Sequence, residues 1–331
     1  MINYHYQTII FERLRKHFTQ AQIIHLLVNT LGITRQSAYH YLDSKRALSY
    51  DAVMKLVHES PATQFLLDVD NPGDLGSIAW QYMNSTGQPI DHLDYMNRLR
   101  YFFANMRFDK FEIRLVSFEV PIFYYMYFPA LLGFKFFCWS KTVWNNAVYK
   151  EKAYRPDDFL SDEFIAISNA LVANFSSVRT VEYWSNNMLT NTLRQLHYFK
   201  EMNYLGSIKV YNELIHELRQ MIELFRQMAA EGKKRSTDQC LNGALTGIYI
   251  NQIFYANNTY LLSGEDIRLV FTAYDNPNFM FTDNPQIIDK TLAWMDNIQR
   301  HSGSLVQCNE LDRLRFFERM EFELDEYDQT I

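Results

Sequence analysis

Between residues 34 and 46 the chain crowds eight side chains that hydrogen bond outward: Thr34, Arg35, Gln36, Ser37, Tyr39, His40, Lys45 and Arg46. Their chemistry is complementary to a duplex nucleic acid rather than to a reacting carbonyl or phosphoryl centre. An arginine fork pairs with O6 and N7 of guanine, and a glutamine amide with N6 and N7 of adenine. Thr34 and Ser37 suit phosphate or base contacts at a helix N-terminus, where the peptide dipole favours an anion. Lys45 and Arg46 suit phosphates just beyond the helix. The competing reading is a solvated polar face on a bundle that binds protein and not DNA.

Other residues with reactive side chains form weaker sets. Glu213 and His216 stand three apart, a metal-ligand spacing on a helix. A carboxylate-bridged metal site needs a second such pair, and none is evident, so they read as a surface pair. His301, Ser302 and Ser304, with Asp289 and Asp296 upstream, have the side chains of a hydrolase but no spacing that fixes a nucleophile. They read as a helix end and its loop. Walker, dinucleotide and His-Glu-x-x-His motifs are absent from the sequence. No catalytic residue, metal or cofactor is expected, and the chain does not read as an enzyme.

The polar cluster must be held by short helices. Apolar residues recur at helical spacing over 8–18, TIIFERLRKHF. Thr19 can cap a second helix, QAQIIHLLVNT; Thr34 a third, RQSAYHYLDS; and Ser49 a fourth, YDAVMKLVHES. The turn between the second and third is Leu31-Gly32-Ile33-Thr34, where Gly32 can take a positive φ. Leu27, Ile33, Ala38, Leu42, Leu48, Val53 and Leu56 fall where the core of such a bundle belongs.

From Gly32 to Ser49 the pattern resembles, without a gap, the phage-repressor (lambda-repressor-like) class of helix-turn-helix proteins. Gly32, apolar Ile33, Thr34, polar Arg35 and Gln36, Ser37, apolar Ala38 and aromatic Tyr41 occupy its successive positions, followed by the loop Asp43-Ser44-Lys45-Arg46. The resemblance implies a helix reading the major groove, with Arg35, Gln36, Tyr39 and His40 facing outward. It implies a dimer on double-stranded DNA and a role in transcription. Two departures stand out. The first motif helix is about a turn longer than usual, and Ile24 occupies the position where many members carry a phosphate-binding glutamine.

The charge is divided in the same sense. Residues 1–60 hold seven Lys or Arg against four Asp or Glu, a balance of +3, so the rest carries −9 of the total −6. Five of the nine histidines also lie there: His5, His17, His25, His40 and His58. A basic end on an acidic body fits a DNA-reading module joined to an effector domain.

Residues 61–90, with three Pro and three Gly, read as a linker. The remainder, 91–331, reads as a mostly helical effector or dimerisation domain. Helical spacing covers DHLDYMNRLRYFFANMRF, SDEFIAISNALVANF, RTVEYWSNNMLTNTLRQLHYFKEM and SIKVYNELIHELRQMIELFRQMAAEG, and two further helices close the chain. EIRLVSFEV reads as a short strand or a helix end. Two or three short strands are expected over 246–281, where β-branched and aromatic residues alternate with turn signals. The fold class expected from these signals is mainly α, a helix-turn-helix bundle before a helical domain with a small β-hairpin or sheet. The segments VPIFYYMYFPALLGFKFFCW, TNTLRQLHYF, FYANNTYLL and LDRLRFFERM loosely resemble a group of bacterial regulators that place such a bundle before a helical domain. That likeness implies no ligand.

Sixteen aromatics between 101 and 144 read as core, or alternatively as the lining of a pocket for a flat effector of unknown identity. The uncharged run Val120–Phe134, about 15 residues, falls short of the ~20 a membrane helix needs and is interrupted by Pro121 and Pro129. Three distant cysteines, Cys138, Cys240 and Cys308, argue against a disulfide scaffold. With charges in MINYHYQTIIFERLRKHF, where an export signal needs an apolar run, the expected compartment is the cytoplasm.

Overall fold

The computed structural model describes residues 5–59, 78–82, 91–104, 110–238, 240–251, 257–265 and 267–329. The chain divides into two compact units, Met1–Ala79 and Trp80–Ile331.

The first unit is a bundle of α1 (His5–His17), α2 (Gln20–Leu31), α3 (Arg35–Leu42) and α4 (Tyr50–Glu59). Each boundary has a chemical cause. Thr19 opens α2 with a capping box, its hydroxyl accepting from the Gln22 N–H while the Gln22 side chain accepts from the Thr19 N–H. Gly32 closes α2 in the left-handed region, φ 65°, and donates its N–H to the Val28 carbonyl. Two residues later Thr34 caps α3 by accepting from the Ser37 N–H at 3.2 Å. Ile10, Phe11, Leu14, Ile23, Ile24, Leu27, Ala38, Leu42, Leu48 and Leu56 form the core.

One polar side chain ties the bundle shut. Gln7 is fully buried on α1. Its amide N–H groups donate to the carbonyls of Tyr41 at 2.7 Å and Arg46 at 2.9 Å, and its carbonyl accepts from the Leu48 N–H at 2.7 Å. All three partners lie on the α3 end or the loop to α4. A buried amide with every bond made specifies one register for that loop.

The second unit overturns the expected mainly-α class. Helices take 56% of the chain and strands 16%, but the strands form one eight-stranded mixed sheet that organises the unit, so the fold is α/β. The strands are β1 (Gln81–Tyr82), β2 (Glu112–Ser117), β3 (Arg179–Ser185), β4 (Thr246–Asn251), β5 (Thr259–Ser263), β6 (Arg268–Asp275), β7 (Asn278–Thr282) and β8 (Gly303–Ser304). Their order across the sheet is β1-β7-β6-β5-β2-β3-β4-β8. β2, β3 and β4 run parallel at its centre, and every other pairing is antiparallel.

The helices are α5 (His92–Ala104), α6 (Ile122–Tyr125), α7 (Pro129–Thr142), α8 (Asp162–Ser177), α9 (Thr190–Glu201), α10 (Ile208–Glu231), α11 (Pro285–Arg300) and α12 (Glu310–Gln329). The parallel strands need long crossovers. α6 to α8 connect β2 to β3, and α9 and α10 connect β3 to β4. Side chains alternate across the sheet. Ile113, Leu115, Trp184, Ile248, Tyr260 and Leu262 face the large helical layer. Val116, Tyr183, Leu261 and Val270 pack instead with Ile288, Met295 and Ile298 of α11.

The largest correction concerns β3. RTVEYWS carries β-branched and aromatic residues that are buried on both faces, so it shows no clean period-two pattern, and its spacing runs into that of α9. EIRLVS is β2, the strand alternative of the two readings. The expected small β element over 246–281 is half of the sheet, β4 to β7. Most of the expected linker lies outside the described residues; within it, Gln81 and Tyr82 are β1, paired with Phe281 and Met280.

The aromatic run is core. Tyr124, Tyr125, Phe134, Phe136 and Phe137 are each at most 1% exposed, while Phe102, Phe103 and Phe123 of the same run line an apolar pocket of about 60 Å³ with Phe271 and Phe279. Pro129 starts α7, whose first free N–H groups are capped by the Glu217 carboxylate of α10, accepting from Leu131 at 2.7 Å and Ala130 at 3.3 Å. Among the described residues no helix is long and apolar enough to cross a membrane.

Candidate nucleic-acid interface

α3 presents two faces. Ala38, Tyr41 and Leu42 point into the bundle core. Arg35, Gln36, Tyr39 and His40 point outward, Tyr39 with 42% of its surface exposed. This division follows from the 3.6-residue repeat, with Ala38 small enough to let α2 and α3 cross closely. Arg35 and Gln36 engage no other described side chain or backbone group. Their donors are free for a ligand, at the first turn of a helix whose preceding turn is set by Gly32.

The other candidate residues are partly committed. Thr34 is the N-cap of α3, and its hydroxyl lies 3.0 Å from that of Ser37, which is half-buried. Both hydroxyls therefore hold the helix start before they can touch a ligand. Lys45 makes an exposed ion pair with Asp43 at 3.3 Å, a contact worth little in water and easily exchanged for a phosphate. Arg46 lays its guanidinium over the Tyr41 ring at 5.4 Å. The loop between them turns at Ser44, φ 55°.

Ile24 is buried, 3% exposed, so the position that carries a phosphate-binding glutamine in the resembled family is core here. The longer helix accounts for the change. α2 begins at Gln20, one turn before Ile24, and Gln20, Ala21 and Gln22 are exposed at its start. Sequence reasoning passed over Gln20; the signal was the Thr19-x-x-Gln22 capping box, which fixes where the helix begins.

The weaker sets resolve as surface and helix end. Glu213 and His216 are exposed on α10, and no metal-ligating group of three or more is found among the described residues. Ser302 donates to the Ile298 carbonyl at 2.6 Å, and the His301 ring meets the Asn297 carbonyl at 2.8 Å. Asp296 pairs with Arg114 and Asp289 with Arg268. No serine, histidine and aspartate of this group share a site.

The second unit holds buried charges that no sequence signal marked. Glu182 of β3 is fully buried and accepts from the Tyr124 hydroxyl at 2.6 Å, Thr180 at 2.8 Å, the Trp184 indole at 2.9 Å and Thr246 at 3.4 Å. Lys234, also fully buried, donates to the carbonyls of Phe175 at 2.9 Å and Val178 at 2.7 Å, where α8 ends. Burial pulls its ammonium down to about 7, partly opposed by the charge of Glu182. Lys135 of α7 donates to Gln195 at 2.7 Å and lies 3.9 Å from the Glu119 carboxylate, beside a small cavity that Glu119 and Asn258 also line. These contacts hold Glu182, Lys234 and Lys135 against the elements around them in the core.

No family model, no curated protein and no solved structure matches this chain. The likeness to phage repressors therefore rests on the residues from Gly32 to Ser49 themselves.

Proposed function

We propose that this chain is a sequence-specific, dimeric DNA-binding regulator of transcription that reads the major groove with α3. The observation that carries the reading is the outward face of α3. Arg35 and Gln36 stand there with no hydrogen-bond partner among the described residues, one turn from a glycine-closed helix end, with Tyr39 and His40 beside them. Lys45 and Arg46 then meet phosphates, and the exposed α2 start at Gln20 supplies a further backbone contact in place of Ile24. Cytoplasmic location and the absence of catalysis belong to the same reading.

Fluorescence anisotropy against a library of genomic fragments tests it. A tight subset of fragments should emerge, with affinity falling as salt rises. Arg35→Ala and Gln36→Ala should each cost about 1–3 kcal/mol on the preferred fragment and relax the preference. Lys45→Ala should weaken all fragments alike and lower the salt slope by about one per module. Absence of binding, or binding indifferent to salt, refutes the reading and leaves the bundle as a protein-contact module.

A further inference from the structure

The parallel strands β3 and β4 end against a cleft of about 370 Å³, large enough for a small molecule. Asn186, immediately after β3, and Ile250, near the end of β4, lie at its floor. The carboxyl ends of parallel strands are where open α/β sheets bind ligands. Ile250 and Phe316 offer the cleft a half-buried apolar surface.

α12 forms the opposite wall and sets the charge. Arg315 and Arg319, one turn apart, both line the cleft. Arg315 has a loose contact to Asp312 at 3.5 Å, with 67% of its side chain exposed. Arg319 has no hydrogen bond or ion pair among the described residues. Elsewhere on this unit Arg219 and Arg226 are each tied to two carboxylates, at 2.7–3.2 Å. Two guanidinium groups against the single carboxylate of Asp312, which also lines the cleft, leave an excess of positive charge in an otherwise acidic body, a site for an oxyanion, since each fork matches a carboxylate or phosphate in two parallel bonds.

We infer that this cleft binds a small organic anion, a phosphate ester or carboxylate whose charged end meets Arg315 and Arg319 and whose apolar body lies on Phe316 and Ile250. The site is independent of whether α3 reads DNA.

Cys308 lines the same cleft and reports its occupancy. Cys240 is exposed, does not line it, and serves as the internal control, while Cys138 is buried. The full chain is alkylated with iodoacetamide, and peptide mass spectrometry follows both thiols in one sample. Phenyl phosphate or benzoate is added at about 10 mM, roughly ten times a 1 mM dissociation constant. Alkylation of Cys308 should slow by up to about tenfold, as expected of a site about nine-tenths filled, with Cys240 unchanged. Protection by one probe alone assigns the phosphate or the carboxylate class. Arg315→Gln with Arg319→Gln should abolish protection; both side chains are exposed, so folding is not at stake. Gly303→Val blocks the cleft from the other wall, where an added Cβ meets no atom within 4 Å, and should also abolish protection with both arginines in place. No protection by either probe, or protection that survives the double substitution, overturns the inference.

Discussion

Which side chains face water is legible one residue at a time. Arg35, Gln36, Tyr39 and His40 stand out in the sequence because polar residues interrupt an apolar repeat, and they are exposed on α3. Gln7 shows the opposite case. It is one polar residue in a run of mixed polarity, and nothing in its neighbours distinguishes a surface glutamine from one that holds a loop through three hydrogen bonds. Its partners are 34 to 41 residues away, so only the fold reveals the role. Replacing it with alanine removes the acceptor of the Leu48 N–H and a donor from the carbonyls of Tyr41 and Arg46, of which Tyr41 keeps the Ser44 N–H at 3.1 Å. The expected loss is about 2–3 kcal/mol in the first unit, because each orphaned buried group costs about 1–3 kcal/mol. Hydrogen exchange of the Leu48 amide measures it directly: Gln7→Ala should speed that exchange by about two orders of magnitude. Unchanged exchange would show that water replaces the amide.

Elements with a cap or a closing glycine were readable, because a helix end needs a chemical partner close in sequence. α2, α3, α10 and α11 all begin on a side-chain cap, at Thr19, Thr34, Ser207 and Asn284. β3 was not readable, because a strand buried on both faces takes its identity from neighbours more than sixty residues away, Thr180 beside Thr246 for one. Gly32 separates the conformational term from the steric one. No atom lies within 4 Å of a Cβ added there, so Gly32→Ala should cost only the left-handed backbone, about 1–2 kcal/mol. Gly32→Asn should recover part of it, and hydrogen exchange across residues 20–42 measures both. A loss much above that range would mean that the turn is crowded. Lys234 joins the end of α8 to the chain after α10 and gives the second unit a pH dependence. Its ordinary value of 10.5 falls to about 7 on burial. Below about 7 folded and unfolded states both carry the proton; between about 7 and 10.5 only the unfolded state does, so stability rises with pH there. The neutral amine still has two N–H donors for its two carbonyls. All five tryptophans lie between Trp80 and Trp294, so fluorescence reads this unit alone. Its urea midpoint should climb from pH 7 to 9, and Lys234→Met should flatten the climb; a falling midpoint in the wild-type chain refutes it.

At the scale of the whole molecule the constraint is electrostatic. The first sixty residues carry only +3 and the remainder −9, so one module has little counterion release to draw on and an acidic body to overcome. It also lacks the side-chain phosphate contact that Ile24 has given up to the core. A single module buries about 600–1,000 Å² of its own surface on DNA, too little to select one site among a genome's competitors. Two modules on a two-fold axis double both the phosphate contacts and the base contacts, and double the salt slope with them. A dimer is thus a requirement of the proposed function and not an embellishment of it. Sedimentation of the full chain at micromolar concentration should give twice the 39.4 kDa of one chain. On DNA the preferred sites should be inverted repeats centred about one helical turn apart, roughly 10 base pairs. Inserting about half a turn, roughly 5 base pairs, puts the second half-site on the opposite side of the duplex and should reduce binding to that of a single half-site. A chain that stays monomeric alone and on DNA, or binds equally well at either spacing, would remove the two-fold arrangement that the modest charge of the first unit demands.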